Sequence, residues 1–225
     1  MKTPKSIKRF VDIFSTLPGV GPRQAIRLAF YFLRQGKAFQ DDFVRVVEEF
    51  KNIDICKQCF YIAEEMSGPA SPESREGGLC VYCGDKNRNQ SLIAIVEKET
   101  DIMSIENTGK YNGRYLVLGD IKRSGILETD QKLRLQSLKK WIEKELGGPA
   151  RQSHDGSSRM AGGKADEIIV AINPTAEGEI LAGIVSEEMR PVAKKVTRLG
   201  RGIPTGGEIE FADEDTLGSA IERRG

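Results

Sequence analysis

Cys56-Lys-Gln-Cys59 and Cys80-Val-Tyr-Cys83 hold all four cysteines of the chain, in two pairs of equal spacing with twenty residues between them. Two residues between thiolates let both sulfurs of a pair reach one ion at tetrahedral angles, and a second pair completes a four-sulfur shell. The spacing therefore predicts a structural zinc site with Cys56, Cys59, Cys80 and Cys83 as ligands. Gly84 follows the last cysteine and suits a tight knuckle turn, since glycine tolerates positive φ. Two disulfides or four free thiols are the competing readings. A chain without a secretion signal rarely keeps disulfides, and unpaired cysteines seldom fall into two equal pairs. A catalytic zinc keeps an open position and usually takes a histidine or carboxylate. The single histidine, His154, lies far away in a Gly/Ser-rich stretch. The metal is expected to be a staple between a basic helical segment and a longer α/β segment.

Composition bounds the rest. With 225 residues, 39% hydrophobic and 30% charged, the chain can bury one good core and smaller modules beside it. No apolar run reaches the length that crosses a bilayer. Residues Met1 to Phe14 alternate lysines with apolar residues at helical spacing rather than forming a targeting signal, so a cytoplasmic protein is expected. The formal charge of +1 is unevenly spread: residues 1–40 carry eight Lys or Arg against one acid, Asp12. A basic module on an acidic body suggests a footprint for phosphate.

Before the cysteines, Ile7, Phe10, Val11 and Phe14 recur at helical spacing and mark a helix from Pro4 to Ser15. A second helix opens at Pro22, with Ile26, Ala29, Phe30 and Leu33 as its expected apolar stripe. A third runs from Phe39 to Phe50. Between the first two lies Leu17-Pro-Gly-Val-Gly-Pro22. Glycines there leave backbone N–H groups uncovered at a helix N-terminus, where free donors and the helix dipole both favour a phosphate oxygen. Arg23 and Arg27, four apart, share one face of that helix. The turn resembles the helix-hairpin-helix motif, which grips DNA backbones without reading bases. Gly19, Gly21, Arg23 and Arg27 are thus candidate DNA contacts, against the plainer reading of an interhelical turn and a solvated basic face.

After the cysteines, strands and helices alternate. Ser91 to Val96 is a continuous apolar run of the kind buried in a parallel sheet, and it ends at Glu97. Thr100 to Asn107 reads as a helix, Arg114 to Gly119 as a strand, and Asp130 to Leu146 as a long helix burying Leu135, Leu138, Trp141 and Ile142. Glu167 to Ile172 is a further strand, followed by Asn173-Pro-Thr175, a helix from Ala176 to Met189, and a strand from Lys195 to Leu199. Gly202 to Gly207 reads as a turn into a strand at Glu208 to Phe211, with a last helix from Asp213 to Arg223. The predicted fold class is α/β: a parallel sheet preceded by an all-α module and a small zinc motif.

Ligands gather at the carboxyl ends of such strands. There the chain offers Glu97 and Asp101, then Asn173, Thr175, Glu177 and Glu179. That arrangement resembles the Toprim domain of topoisomerases and primases. Active members use a glutamate and a pair of alternating aspartates to hold magnesium; here Asn173 and Thr175 stand where the pair should be. Neutral oxygens hold magnesium weakly. A magnesium-dependent Toprim enzyme acting on nucleic acid, with Glu177 and Glu179 compensating, remains the alternative reading. Gly162-Gly-Lys-Ala165 lacks the spacing of a phosphate-binding loop.

The whole order, closing with Val196-Thr-Arg-Leu-Gly-Arg-Gly-Ile-Pro-Thr-Gly-Gly-Glu-Ile-Glu-Phe-Ala-Asp-Glu-Asp-Thr-Leu217, resembles the bacterial RecR family of recombination mediators. The resemblance implies a helix-hairpin-helix module over residues 1–54, a zinc motif over 55–90, a Toprim domain over 91–192 and an oligomer-forming tail over 193–225. It implies a non-enzymatic role in recombinational DNA repair. Rings, typically homotetramers, form around or along DNA and act with RecO and RecF to help load RecA at single-stranded gaps. Glu97 and Asp101 would then belong to a partner-binding surface, and Phe10, Phe14, Ile203 and Leu217 to contacts between copies. The chain departs from the family in a long Met66 to Gly78 stretch, in the Gly147 to Lys164 loop, and in Tyr115-Leu-Val-Leu-Gly-Asp120 with Lys122-Arg-Ser-Gly125.

Overall fold

The computed structural model describes residues 4–63, 78–122, 125–147, 163–200, 202–203 and 206–222. His154, nearly all of the Met66 to Gly78 stretch and most of the Gly147 to Lys164 loop lie outside the described residues, as do Arg123 and Ser124. Two compact units are present, Met1–Ile53 and Asp54–Gly225.

The first unit is three helices: α1 (Lys5–Phe14), α2 (Pro22–Gln35) and α3 (Lys37–Glu49). The predicted stripe of α1 is its half-buried face. Phe10 and Phe14 stack on each other and reach Phe32 of α2 at ring distances of 5.4 and 6.2 Å. Phe39 and Phe43 of α3 close on the same ring. The buried line of α2 is therefore Ala25, Ala29 and Phe32, not the expected Ile26, Ala29, Phe30 and Leu33. Small alanines let the helices approach closely, and Phe32 fills the space beyond. Ile26, Phe30 and Leu33 are left 44%, 45% and 57% exposed. Ala25 and Ala29 are the only apolar side chains of this unit that are fully buried among the described residues.

The second unit opens with a short antiparallel pair, β1 (Asp54–Ile55) and β2 (Ile62–Ala63), and a single helical turn, α4 (Val81–Gly84). Four parallel strands follow, β3 (Asn89–Val96), β4 (Gly113–Val117), β5 (Ala165–Ala171) and β6 (Ala193–Arg198), ordered β4-β3-β5-β6. Connecting helices are α5 (Glu99–Glu106), α6 (Thr129–Glu145) and α7 (Ala176–Met189). The pleat sends Ile93 and Ile95 of β3 to one face and Ala94 and Val96 to the other. On the first face they meet Leu135, Leu138 and Ile142 of α6 with Leu181, Val185 and Met189 of α7. On the second they meet Ile102 of α5 together with Phe60, Tyr61 and Tyr82 from the cysteine segment. The cysteine segment thus does for the second face what a further helix does elsewhere.

The tail carries one correction. Glu208 to Phe211 is not a strand but leads into a 3-10 turn, Ile209–Phe211, before helix α8 (Glu214–Glu222). A strand needs a partner to satisfy its N–H and C=O groups. Here the amides of Phe211 and Ala212 donate to the carbonyls of Glu208 and Ile209 instead.

Candidate metal centre and nucleic-acid interface

Each cysteine pair is closed by the same backbone bond. Phe60 N–H donates to the Cys56 carbonyl and Gly84 N–H to the Cys80 carbonyl, both at 2.8 Å. The left-handed residue of the knuckles is Phe60, at φ 62°, whereas Gly84 ends α4 without a positive φ. That reverses the role expected of Gly84. The aromatic ring at position 60 packs under an Arg134 guanidinium, 4.9 Å from its centre, and against the sheet. That packing offsets the cost of an unfavourable backbone conformation.

These turns bring all four sulfurs within 4.8 Å of one another, with Cys59 and Cys80 Sγ 3.3 Å apart. An ion held tetrahedrally by sulfurs at about 2.3 Å sets them about 3.8 Å apart. Cys56, Cys59, Cys80 and Cys83 are all buried. The donor set fits a closed, four-coordinate metal ion. Hydrogen bonding among the thiols distributes their protons unevenly: the bond with Cys59, then those with Cys80 and Cys83, holds the Cys56 thiol low. The bond with Cys56, then those with Cys80 and Cys83 and burial, push the Cys59 thiol up. Cys56, Cys59, Cys80 and Cys83 would hold a divalent ion as thiolates.

The centre is tied to the sheet by side chains that the sequence did not single out. Arg88 makes a two-pronged ion pair with Glu106 of α5, at 2.6 and 2.8 Å, and lies over the Tyr82 ring. That pairing holds the Glu106 carboxyl below its ordinary value. Burial, with Tyr61 and Glu106 nearby, pushes the Tyr82 hydroxyl up to about 12. Arg114 of β4, buried at 6% exposure, donates to Gln58 in the first knuckle, to the Cys83 carbonyl in the second at 3.3 Å, and to Gln90. Its guanidinium stacks on Trp141 of α6 at 4.4 Å. A lone cation in the apolar run Gly113-Arg-Tyr-Leu-Val was the one sequence signal for it.

The acids at the strand ends do not converge. Among the described residues, the four cysteines are the one group of three or more possible ligands that gathers closely. Glu97 is buried at the end of β3 and accepts from the Asn173 amide at 2.6 Å, with Lys98 Nζ 3.6 Å from its other oxygen. Asp101 caps α5 by accepting from the Lys98 backbone N–H at 2.8 Å. Thr175 caps α7, accepting from Gly178 N–H. Glu177 is half-buried in the first turn of α7, and Glu179 pairs with Arg198 at 2.6 Å. Asp101, Asn173, Thr175, Glu179, Arg198 and Asp213 line a cleft of about 850 Å³.

In the first unit, Val20 N–H donates to the Leu17 carbonyl across Pro18 and Gly19, and Gly19 has φ 78°. Proline then glycine at the centre is the type II turn signature. Gly21 precedes α2, and no atom lies within 4 Å of where a Cβ would stand at either glycine. Arg23 and Arg27 are exposed. The N–H groups of Arg23 and Gln24 sit in the first turn, where the helix offers no acceptor.

Comparison with known proteins follows the same order along the chain. The Toprim domain family model matches residues 91–200, and the RecR C-terminal model matches residues 202–224. Recombination protein RecR of Bifidobacterium longum subsp. infantis is 36% identical over 220 residues, covering 97% of this chain and 95% of its own. RecR of Chloroflexus aurantiacus is 36% identical over 224 residues, covering 97% and 93%. RecR of Dehalococcoides mccartyi is 35% identical over 225 residues, covering 99% and 95%. Similarity along the whole length, on a parallel sheet with a four-cysteine cluster before it, means that the chain belongs to the RecR family.

Proposed function

We propose that the protein is a DNA-binding recombination mediator in recombinational DNA repair, acting with RecO- and RecF-like proteins to help load RecA at single-stranded gaps. The observation that carries the DNA part is the uncovered N-terminus of α2, where Gly19 and Gly21 leave room for a phosphate and Arg23 and Arg27 are exposed beside it. Backbone donors, a helix dipole and two guanidinium groups hold a phosphate without reading a base. Zinc is the metal for the four cysteines, because four buried thiolates at tetrahedral separations suit it and leave no open position. Residues 1–54, 55–90, 91–192 and 193–225 then serve as DNA module, zinc motif, Toprim domain and oligomer-forming tail.

A ring-like homotetramer clamp accounts for the apolar surface. Ile26, Phe30 and Leu33 on α2, and Ile209 and Phe211 in the tail, are exposed far beyond what a lone chain gains from. Glu97 and Asp101 mark a partner face rather than a catalytic one. Glu97 is engaged by Asn173 and Lys98, Asp101 by the start of α5, and Glu179 by Arg198. Lys98 and Arg198 supply countercharge to Glu97 and Glu179 from the chain itself, where an active Toprim site would use magnesium.

The test is a gel-shift assay of the purified protein on labelled gapped DNA, with magnesium and with EDTA, followed by denaturing analysis of the same DNA. Shifted, chemically unchanged DNA in both conditions is the expected result. Magnesium-dependent cutting or extension that disappears in Glu97→Gln would overturn it in favour of a Toprim enzyme.

A further inference from the structure

The second unit holds two guanidinium groups in the neighbourhood of the cysteine segment, Arg114 buried and Arg88 half-buried, and they are treated differently. Arg88 is neutralised by the Glu106 carboxylate. Arg114, at 6% exposure, receives only neutral oxygens, those of Gln58, Gln90 and Cys83, and the face of Trp141. No carboxylate pairs with it among the described residues. Arginine cannot shed its proton in a protein. Burying a charge without a countercharge is among the costliest arrangements a fold can hold.

We propose that Arg114 is the charge partner of the metal centre and a positioning residue for both of its knuckles. The inference rests on the cysteines binding a divalent ion. Four thiolates around such an ion leave an excess of two negative charges in a buried site. Held as thiolates, with their protons given up to solvent, the four cysteines would place that excess close to Arg114, which is bonded to Gln58 and to the Cys83 carbonyl. The side chain has the reach for the role. It is bonded to Gln58, between the two ligands of the first knuckle, and to the carbonyl of Cys83, itself a ligand of the second. A planar fork with several donors holds such a bridge where a lysine cannot. Without metal the cation loses its partner, and with metal the centre loses part of its affinity if the cation is removed.

The test measures zinc affinity of the full-length protein by competition with a chromophoric chelator, for the unaltered protein, R114Q and R114K. Outer-shell partners of metal ligands are worth about 10–100-fold in affinity. R114Q is expected to weaken zinc binding by that much. R114K, which keeps the charge without the fork, is expected to recover part of the loss, the remainder measuring the bridge that only the fork spans. Equal affinity in R114Q and the unaltered protein, or R114K as weak as R114Q, would overturn the charge-partner role while leaving the zinc site standing. An unaltered protein that binds no zinc would sink the metal reading and the inference together. A second readout needs no variant. Trp141 is the only tryptophan of the chain and lies against the Arg114 guanidinium. Chelation of the metal is expected to shift its emission, and added zinc to restore it; an emission spectrum indifferent to metal would count against the proposal.

Discussion

The Val117 backbone N–H donates to the carbonyl of Cys59 over 2.8 Å. Val117 belongs to β4, one of the two edge strands of the parallel sheet, so a residue of the metal centre lies on an edge that would otherwise offer unpaired donors. Metal binding and sheet integrity are thereby one problem.

Metal removal should be felt in the sheet as well as in the knuckles. Chelation, or Cys80→Ser, is expected to abolish stoichiometric zinc and to raise hydrogen exchange at Val117, with β3 much less affected because it pairs on both sides. Amide exchange followed residue by residue checks this; full protection of Val117 in the metal-free protein would refute it.

Arg23→Glu with Arg27→Glu should leave the circular dichroism spectrum unchanged, because both side chains are exposed. DNA affinity should fall at least about tenfold, and the slope of log affinity against log salt should become shallower by about two. Fluorescence anisotropy across a salt series measures both.

Glu106→Gln should cost about 2 kcal/mol at pH 7, the worth of charge-assisted hydrogen bonds to Arg88 and Tyr115. The sign of its pH dependence is set by a folded-state carboxyl held below its ordinary value of 4.5. The wild-type advantage is fully present above that value and is lost as pH falls below it, since protonating Glu106 does what the substitution does. Denaturant midpoints of the two proteins at neutral pH and near pH 3 test the convergence.

Phe30→Asp places a charge on the exposed stripe of α2 without touching the Phe10, Phe14 and Phe32 rings. The expected outcome is a smaller assembly by light scattering, with helix content retained. An unchanged mass would remove this stripe from the contacts between copies.

The two core strands were legible because they are covered on both faces, which leaves an unbroken apolar run at 92–96 and 168–172. The cysteine cluster was legible because its spacing encodes one geometry. The face of α2 was not: Ile26, Phe30 and Leu33 and the line through Ala25, Ala29 and Phe32 both have helical period, and periodicity does not say which stripe meets a neighbour. Nor were Arg114 and Arg198, whose partners lie at Gln58, Cys83 and Trp141 in one case and at Glu179 in the other. Glu208 to Phe211 alternates like a strand, but its amides find acceptors within the segment itself, at Glu208 and Ile209, and four residues of alternation do not tell a strand from such a turn.

Twenty residues lie between Cys59 and Cys80 in sequence, yet their sulfurs are 3.3 Å apart in space. A segment whose two ends are fixed at one point can lengthen at little thermodynamic cost, because closure entropy grows only with the logarithm of its length. Outside Phe60, Tyr61 and β2, the span between the knuckles is therefore a place where descendants of this gene can gain or lose sequence without renegotiating the sheet, and where an experimenter can seat a fluorophore or an affinity tag.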